Sequence, residues 1–142
     1  MIRSDFRHFV PLIVQWGEMD TLRHVNNVQY FRYLESGRVG YIHEVLERTL
    51  QDPQTMVLAD IRCTFIQQLE YPARIQVGSR VSRLGKSSLT IANAIFREGE
   101  EQPVATALCV VVWYDTVAKR PTPFPEELRE KVKAYEVVAP EV

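Results

Sequence analysis

Residues 16–38, WGEMDTLRHVNNVQYFRYLESGR, decide how the rest of the chain is read. A polar loop with a carboxylate, an imidazole and two adjacent amides runs directly into an amphipathic stretch. The helix is expected to open at Asn26 or Asn27, because an Asn side chain accepts one of the backbone N–H groups that lack an intrahelical partner. From Asn27 to about Leu50 no proline intervenes, and Tyr30, Leu34, Gly37, Tyr41 and Val45 recur at spacings of three and four. That period predicts one apolar face, widened by Phe31, Ile42 and Leu46. Gly37 and Gly40 each cost roughly 1 kcal/mol of helix propensity relative to Ala. The helix is therefore expected to lie close against another element at those glycines, and Gln51-Asp52-Pro53 to stop it. At ~1.5 Å per residue it would run about 35 Å, long enough to lie along a whole sheet.

The flanking sequence supplies the sheet. Residues 9–16, FVPLIVQW, read as a first strand, with Pro11 pointing to an edge position, and Gly17 ends it. In residues 55–68, Val57, Ala59, Ile61, Cys63 and Phe65 alternate with Leu58, Asp60, Arg62, Thr64 and Ile66, the pattern of a half-buried strand. Residues 72–84 and 88–96 alternate likewise and read as a hairpin about Leu84-Gly85-Lys86. Residues 104–114, VATALCVVVWY, are apolar on both faces, which predicts a central strand or one covered by a second subunit. Residues 119–125, KRPTPFP, hold too much proline for regular structure, and residues 126–135 read as a short terminal helix with an acidic start. One strand, one long helix and four strands predict an α+β domain in which a five-stranded antiparallel sheet wraps a single helix.

The 142 residues fall in the range of one domain, and 46% apolar with 25% charged residues is ordinary globular usage. A net charge of −1 gives no general attraction to nucleic acid. The start, MIRSDFRHFV, has no apolar run of secretory length, and no stretch approaches the ~18 apolar residues of a membrane span, so a cytoplasmic protein is expected. Cys63 and Cys109 are far apart and lie in strand-like runs, which favours reduced core thiols over a disulfide or a zinc site.

Asp20 is the first candidate for chemistry. If it lies beside the helix opening at Asn27, a carbonyl held against the exposed N–H groups becomes more electrophilic, and the carboxylate can attack it or activate a water. The alternative is a turn residue bonded to its own backbone. His24 can assist proton transfer or orient Asp20, or serve only in packing. Asn27 matters through its backbone N–H more than its side chain. The spacing of Glu18, Asp20 and His24 matches no zinc pattern, so neither metal nor other cofactor is expected. Glu35 and Arg38 fall on the helix face that begins at Asn27, where a modest ion pair is the favoured reading. Arg80, Arg83 and Lys86, followed by Ser87, form a basic cluster at a hairpin turn: either a phosphate-binding patch or a solvated edge that discourages strand addition.

The segments W-G-E-M-D-T-L-R-H-V-N-N-V-Q-Y (16–30) and Y-L-E-S-G-R (33–38) resemble the 4-hydroxybenzoyl-CoA thioesterase type of hotdog-fold acyl-CoA thioesterases. They are similar also to the corresponding loop of plant acyl-carrier-protein thioesterases. Element order and R-P-T-P-F-P-E-E-L (120–128) extend the resemblance over nearly the whole chain. It implies a sheet curled around the long helix, a homodimer or homotetramer pairing sheets edge to edge, and active sites between subunits. It places the catalytic aspartate at Asp20 and the carbonyl-polarising amide at Asn27, and it implies a CoA or carrier-protein thioester as substrate. On this reading Tyr30 lines the pocket and the surface basic residues lie near the nucleotide phosphates. The chain departs at Leu22, where the plant enzymes carry Asn, and at Glu18, where many relatives carry Asp. Two rivals are a non-catalytic acyl-CoA-binding protein and a hotdog dehydratase or hydratase, which would need a His-centred site.

Overall fold

The computed structural model describes residues 1–142. The elements follow as β1 (His8–Ile13), α1 (Asn27–Glu44), β2 (Gln54–Phe65), β3 (Arg74–Leu84), β4 (Ser88–Arg97), β5 (Ala105–Asp115), β6 (Arg120–Pro121) and α2 (Glu126–Tyr135). The strands form one antiparallel sheet in the order β1-β3-β4-β5-β2, with β6 paired to the end of β5. The sheet curls around α1, and this α+β arrangement is the hotdog fold. Pro11 sits on the edge strand β1, β3 and β4 form the hairpin, and β5 lies inside the sheet between β4 and β2, each as the sequence predicts.

The apolar stripe of α1 is buried: Tyr30, Tyr33, Leu34, Gly37, Tyr41 and Ile42 all face the sheet. All but Gly37 join one core cluster with Val77, Val81, Ile91, Cys109 and Trp113. Full burial of each large apolar side chain contributes roughly 1.5–3 kcal/mol. Phe31 does not widen this stripe and stays 37% exposed.

The two helix glycines are the points of closest approach. A Cβ on Gly37 would stand 2.7 Å from Val77 Cγ1 and 2.9 Å from Ser79 Oγ, and one on Gly40 would stand 2.5 Å from Val10 Cγ2. The helix thus rests on β3 and β1 through bare backbone. Gly37→Ala is therefore expected to destabilise the protein by about 1–2 kcal/mol despite its gain in helix propensity, because Val77 and Ser79 are fully buried and have nowhere to move. Chemical denaturation with an unchanged m-value is the check.

Three boundaries differ from the sequence reading. Helix α1 ends at Glu44, not near Leu50, and its 18 residues span about 27 Å. The chain turns there because Val45 and Leu46 are drawn into the core, with Glu47 in the left-handed region (φ 55°) and the Arg48 N–H donating to the Ile42 carbonyl. Strand β2 carries a bulge between Leu58 and Asp60, so Leu58 pairs with Val111 but Ile61 with Cys109. One extra residue inverts the alternation, which puts Val57 on the face opposite Ile61 rather than with it. The proline-rich stretch is also not irregular throughout. Arg120 and Pro121 pair with Asp115 and Tyr114, and buried Phe124 packs edge-on against Trp113 at 5.2 Å.

His8 is buried beneath α1, its ring edge-on to Tyr41 and its Nε2 3.3 Å from Glu44 Oε2. Burial pushes its pKa down, outweighing the opposing pull of Glu44. The unfolded chain then takes up a proton that the folded chain does not, so stability rises with pH in that window and is lost as pH falls below about 6.5. Melting temperature is expected to drop between about pH 7 and about pH 5.5, and to drop less in His8→Asn.

Candidate active site

The loop that carries Asp20 is a small closed hairpin. Met19 and Val25 form an antiparallel bridge, the Asp20 N–H donates to the His24 carbonyl, and the Arg23 N–H donates to the Asp20 carbonyl. Arg23 takes a left-handed φ of 65° at the turn. The loop is held to the body by the Val25 N–H on the Leu69 carbonyl and by the Asn26 N–H on the Glu18 carbonyl.

Asn26 is the N-cap of α1, and its Oδ1 accepts the Val28 N–H at 2.9 Å. The Gln29 N–H goes to the Asn26 carbonyl. Of the first three helical N–H groups, the one on Asn27 has no acceptor in the chain. It is a free donor at the positive end of the helix dipole.

Asp20, His24, Asn27 and Tyr30 line one cleft of about 250 Å³, closed by Leu22, Val25, Phe65, Ile66, Gln67 and Gln68. Asp20 is exposed at its rim. One carboxylate oxygen, Oδ1, accepts the Leu22 N–H at 2.9 Å, so the turn-residue reading is correct as far as it goes. The other oxygen is uncommitted within the chain. Asp20 also borders a wider cleft of about 750 Å³ on the side of Trp16, Met19 and Tyr71. Tyr30 packs edge-on against Phe65 at 5.0 Å, and burial raises its pKa, so the phenol stays protonated at neutral pH.

His24 lines this cleft but does not take the expected role, and the other expected residues are not brought to it. His24 turns its Nε2 toward Glu70 Oε1 at 3.7 Å instead of orienting Asp20 through its side chain. Glu35 pairs with Arg32 at 3.5 Å, not with Arg38. Arg38 donates to Cys109 Sγ, whose thiol donates in turn to Asn93 Oδ1. Cys63 and Cys109 are both free thiols, as expected, and burial pushes both up.

Arg83 lies at the far end of β3 and Lys86 and Ser87 in the turn after it, with Arg80 further back in the strand. The near end, at Arg74, adjoins the Asp20 loop through the Val14 N–H on the Ala73 carbonyl and the Tyr71 N–H on Met19 Sδ. Arg80 is half-buried and faces the carboxylate of Glu136. The strand edge beside Arg83 is taken by the chain's own terminus, with the Leu84 N–H on the Glu141 carbonyl and the Glu141 N–H on the Ser82 carbonyl. The basic cluster therefore does not border an open strand there, and within one protomer it does not reach the Asp20 cleft. Phe65, Gln67 and Gln68 were not foreseen in the cleft. They lie 45 to 48 residues beyond Asp20 in sequence, and only the return of β2 toward the start of α1 brings them there.

No group of three or more His, Cys, Asp or Glu side chains converges in the structure, and no helix is long and apolar enough to cross a membrane.

The fold has counterparts among solved structures. The PA5185 protein of Pseudomonas aeruginosa superposes with a TM-score of 0.88 at 30% identity over 97% of each chain. A thioesterase of Thermus thermophilus, solved with coenzyme A and Zn, superposes with a TM-score of 0.83 at 30% identity, covering 94% of this chain and 96% of that one. A chloroplastic acyl-acyl carrier protein thioesterase of Arabidopsis thaliana is 24% identical over 90% of this chain and 68% of its own length. Residues 14–132, from the end of the first strand through most of α2, match the Thioesterase-like superfamily, and the chain belongs to it.

Proposed function

We propose that this protein hydrolyses an acyl thioester of coenzyme A or of acyl carrier protein, with Asp20 as general base or nucleophile and the Asn27 N–H polarising the thioester carbonyl. The observation that carries this reading is the free Asn27 N–H, which shares one cleft with a carboxylate whose second oxygen is uncommitted. A carbonyl oxygen placed on that N–H gains a donor where negative charge develops in the transition state. Acting as base, Asp20 takes a proton from water as the water oxygen bonds the carbonyl carbon; the C–S bond then breaks and the proton passes to the departing thiolate. Acting as nucleophile, its oxygen displaces the thiolate to form a mixed anhydride, which water opens to the carboxylic acid. Either route consumes one water and yields one acid and one thiol, without metal or other cofactor.

Two clefts meeting at Asp20 suit a substrate whose reacting carbonyl joins two large halves. The relative solved with coenzyme A and the plant acyl-carrier-protein enzyme support that substrate class. The functional unit is a homodimer or larger. Strand β2 closes the sheet with an unpaired outer edge and leaves Val57, Leu58, Phe65 and Ile66 exposed around it. Pairing there with a second copy would cover this patch, and Arg83, Lys86 and Ser87 reach a substrate's phosphates only from a neighbouring subunit.

The test is purified protein incubated with a panel of acyl-CoAs and a thiol-reactive dye. Release of free CoA supports the hydrolase; saturable acyl-CoA binding without release would make it a binding protein. In a single turnover in ¹⁸O-labelled water, label in the Asp20 carboxylate marks an anhydride opened at the aspartyl carbon, and trapping the acyl-enzyme with hydroxylamine detects an anhydride that water would open at the acyl carbon; neither signal is expected if Asp20 acts as base.

A further inference from the structure

Glu18 joins the Asp20 loop to the helix that opens beside it. Its Oε1 accepts the Tyr33 hydroxyl at 2.8 Å and the Gln15 N–H at 2.6 Å, while its backbone carbonyl accepts the N–H of the N-cap Asn26 at 2.9 Å. One residue thus joins the strand side of the loop, the N-cap of the helix and a side chain nearly two turns further along α1. Tyr33 is 4% exposed and packs beside Tyr30, a wall of the cleft. Burial and the adjacent Glu18 carboxylate push its phenol far up, so it remains a donor across the whole working pH range.

Beyond this point the loop is held by its own backbone bonds and by links to the segment after β2, the Val25 N–H on the Leu69 carbonyl, the Tyr71 N–H on Met19 Sδ and His24 beside Glu70, none of which reaches α1. Asp20, Thr21, Leu22 and Arg23 are all exposed, and no side chain in the chain donates to the Asp20 carboxylate. The helix opening, by contrast, is held by the buried face of α1. The distance between the carboxylate and the Asn27 N–H therefore depends on the bond that locks the loop to the helix. Hydrogen bonds to a charged acceptor are roughly twice as strong as neutral ones, so the Tyr33–Glu18 bond is the firmest tether available there.

We propose that Glu18 and Tyr33 form a positioning clamp that sets Asp20 against the helix opening. The clamp touches no reacting atom, and its catalytic consequence rests on the hydrolase reading above. A catalytic group displaced by as little as ~1 Å can lose ~10²-fold in rate, so the clamp should act on turnover.

The experiment compares Tyr33→Phe, Glu18→Ala and Glu18→Gln with wild type and Asp20→Asn in the acyl-CoA assay, with rates expressed per folded molecule at a temperature well below each variant's melting point. Tyr33→Phe and Glu18→Ala are expected to lose at least about tenfold in kcat with KM nearly unchanged. Glu18→Gln keeps an oxygen that accepts both donors and is expected to recover most of what Glu18→Ala loses. Amide hydrogen exchange at Asp20, whose N–H is bonded to the His24 carbonyl, is expected to quicken in Tyr33→Phe and Glu18→Ala but not in Glu18→Gln. Unchanged kcat in Tyr33→Phe, or no recovery in Glu18→Gln, overturns the clamp while a dead Asp20→Asn leaves the hydrolase standing. A fully active Asp20→Asn sinks the hydrolase reading of Asp20 instead, and the exchange measurement still decides whether the clamp orders the loop.

Discussion

Asp20→Asn is expected to lower kcat by about 10²–10⁴-fold while leaving the melting temperature within a degree or two of wild type. The chemistry is removed because an amide neither takes a proton from water nor attacks a thioester. The structure survives because the substitution is nearly isosteric and the retained Oδ1 still accepts the Leu22 N–H that closes the turn. The side chain is exposed, so no buried partner is left unsatisfied. A loss of this size corresponds to roughly 3–6 kcal/mol of transition-state stabilisation at ~1.4 kcal/mol per tenfold. Steady-state thioesterase kinetics beside a thermal melt provide the check. Activity within a few-fold of wild type would remove Asp20 from the reaction.

The second large effect is expected from deleting a single hydrogen atom. Asn27 is the first residue of α1, the one helical position where proline is well accommodated because its N–H has no intrahelical use. Asn26, with φ −62° and ψ 139°, already has the extended conformation that a following proline requires. Asn27→Pro should therefore fold and keep its helix while losing only the free donor. Loss of one oxyanion donor typically costs ~10²–10³ in kcat, and that is the fall expected here. Asn27→Ala, which keeps the N–H and removes only an exposed side chain, is expected to retain most of the activity. Equal activity in the proline variant and in wild type would show that the carbonyl is polarised elsewhere, whereas equal loss in both variants would move the role to the Asn27 side chain.

Much of the site was legible before any coordinates. Asn capping is a local rule, so the helix start was legible to within one residue, Asn26 or Asn27, and the structure makes Asn26 the cap. The proximity of Asp20 follows from a loop too short to carry it far. The partners of charged side chains were not legible, because Glu35 has an oppositely charged neighbour three residues away on either side. The choice of Arg32 over Arg38 was made by Cys109, which comes from a strand more than seventy residues further on. His24 likewise meets Glu70 only because the segment after β2 returns past the loop.

Periodicity is a property of neighbours along the chain, and it gave most of the buried face of α1, though with exposed Phe31 included and buried Tyr33 missed, and the succession of the principal strands; the propensity cost of Gly37 and Gly40 pointed to the close approach there. The end of α1 at Glu44, the inverted alternation across the β2 bulge and the pairing of Arg120–Pro121 were decided by the tertiary structure. So was the separation of the Arg83 and Lys86 turn from the Asp20 loop. Each depends on packing between residues distant in sequence, where the need to bury Leu46, Trp113 and Phe124 outweighs the preference of any short segment.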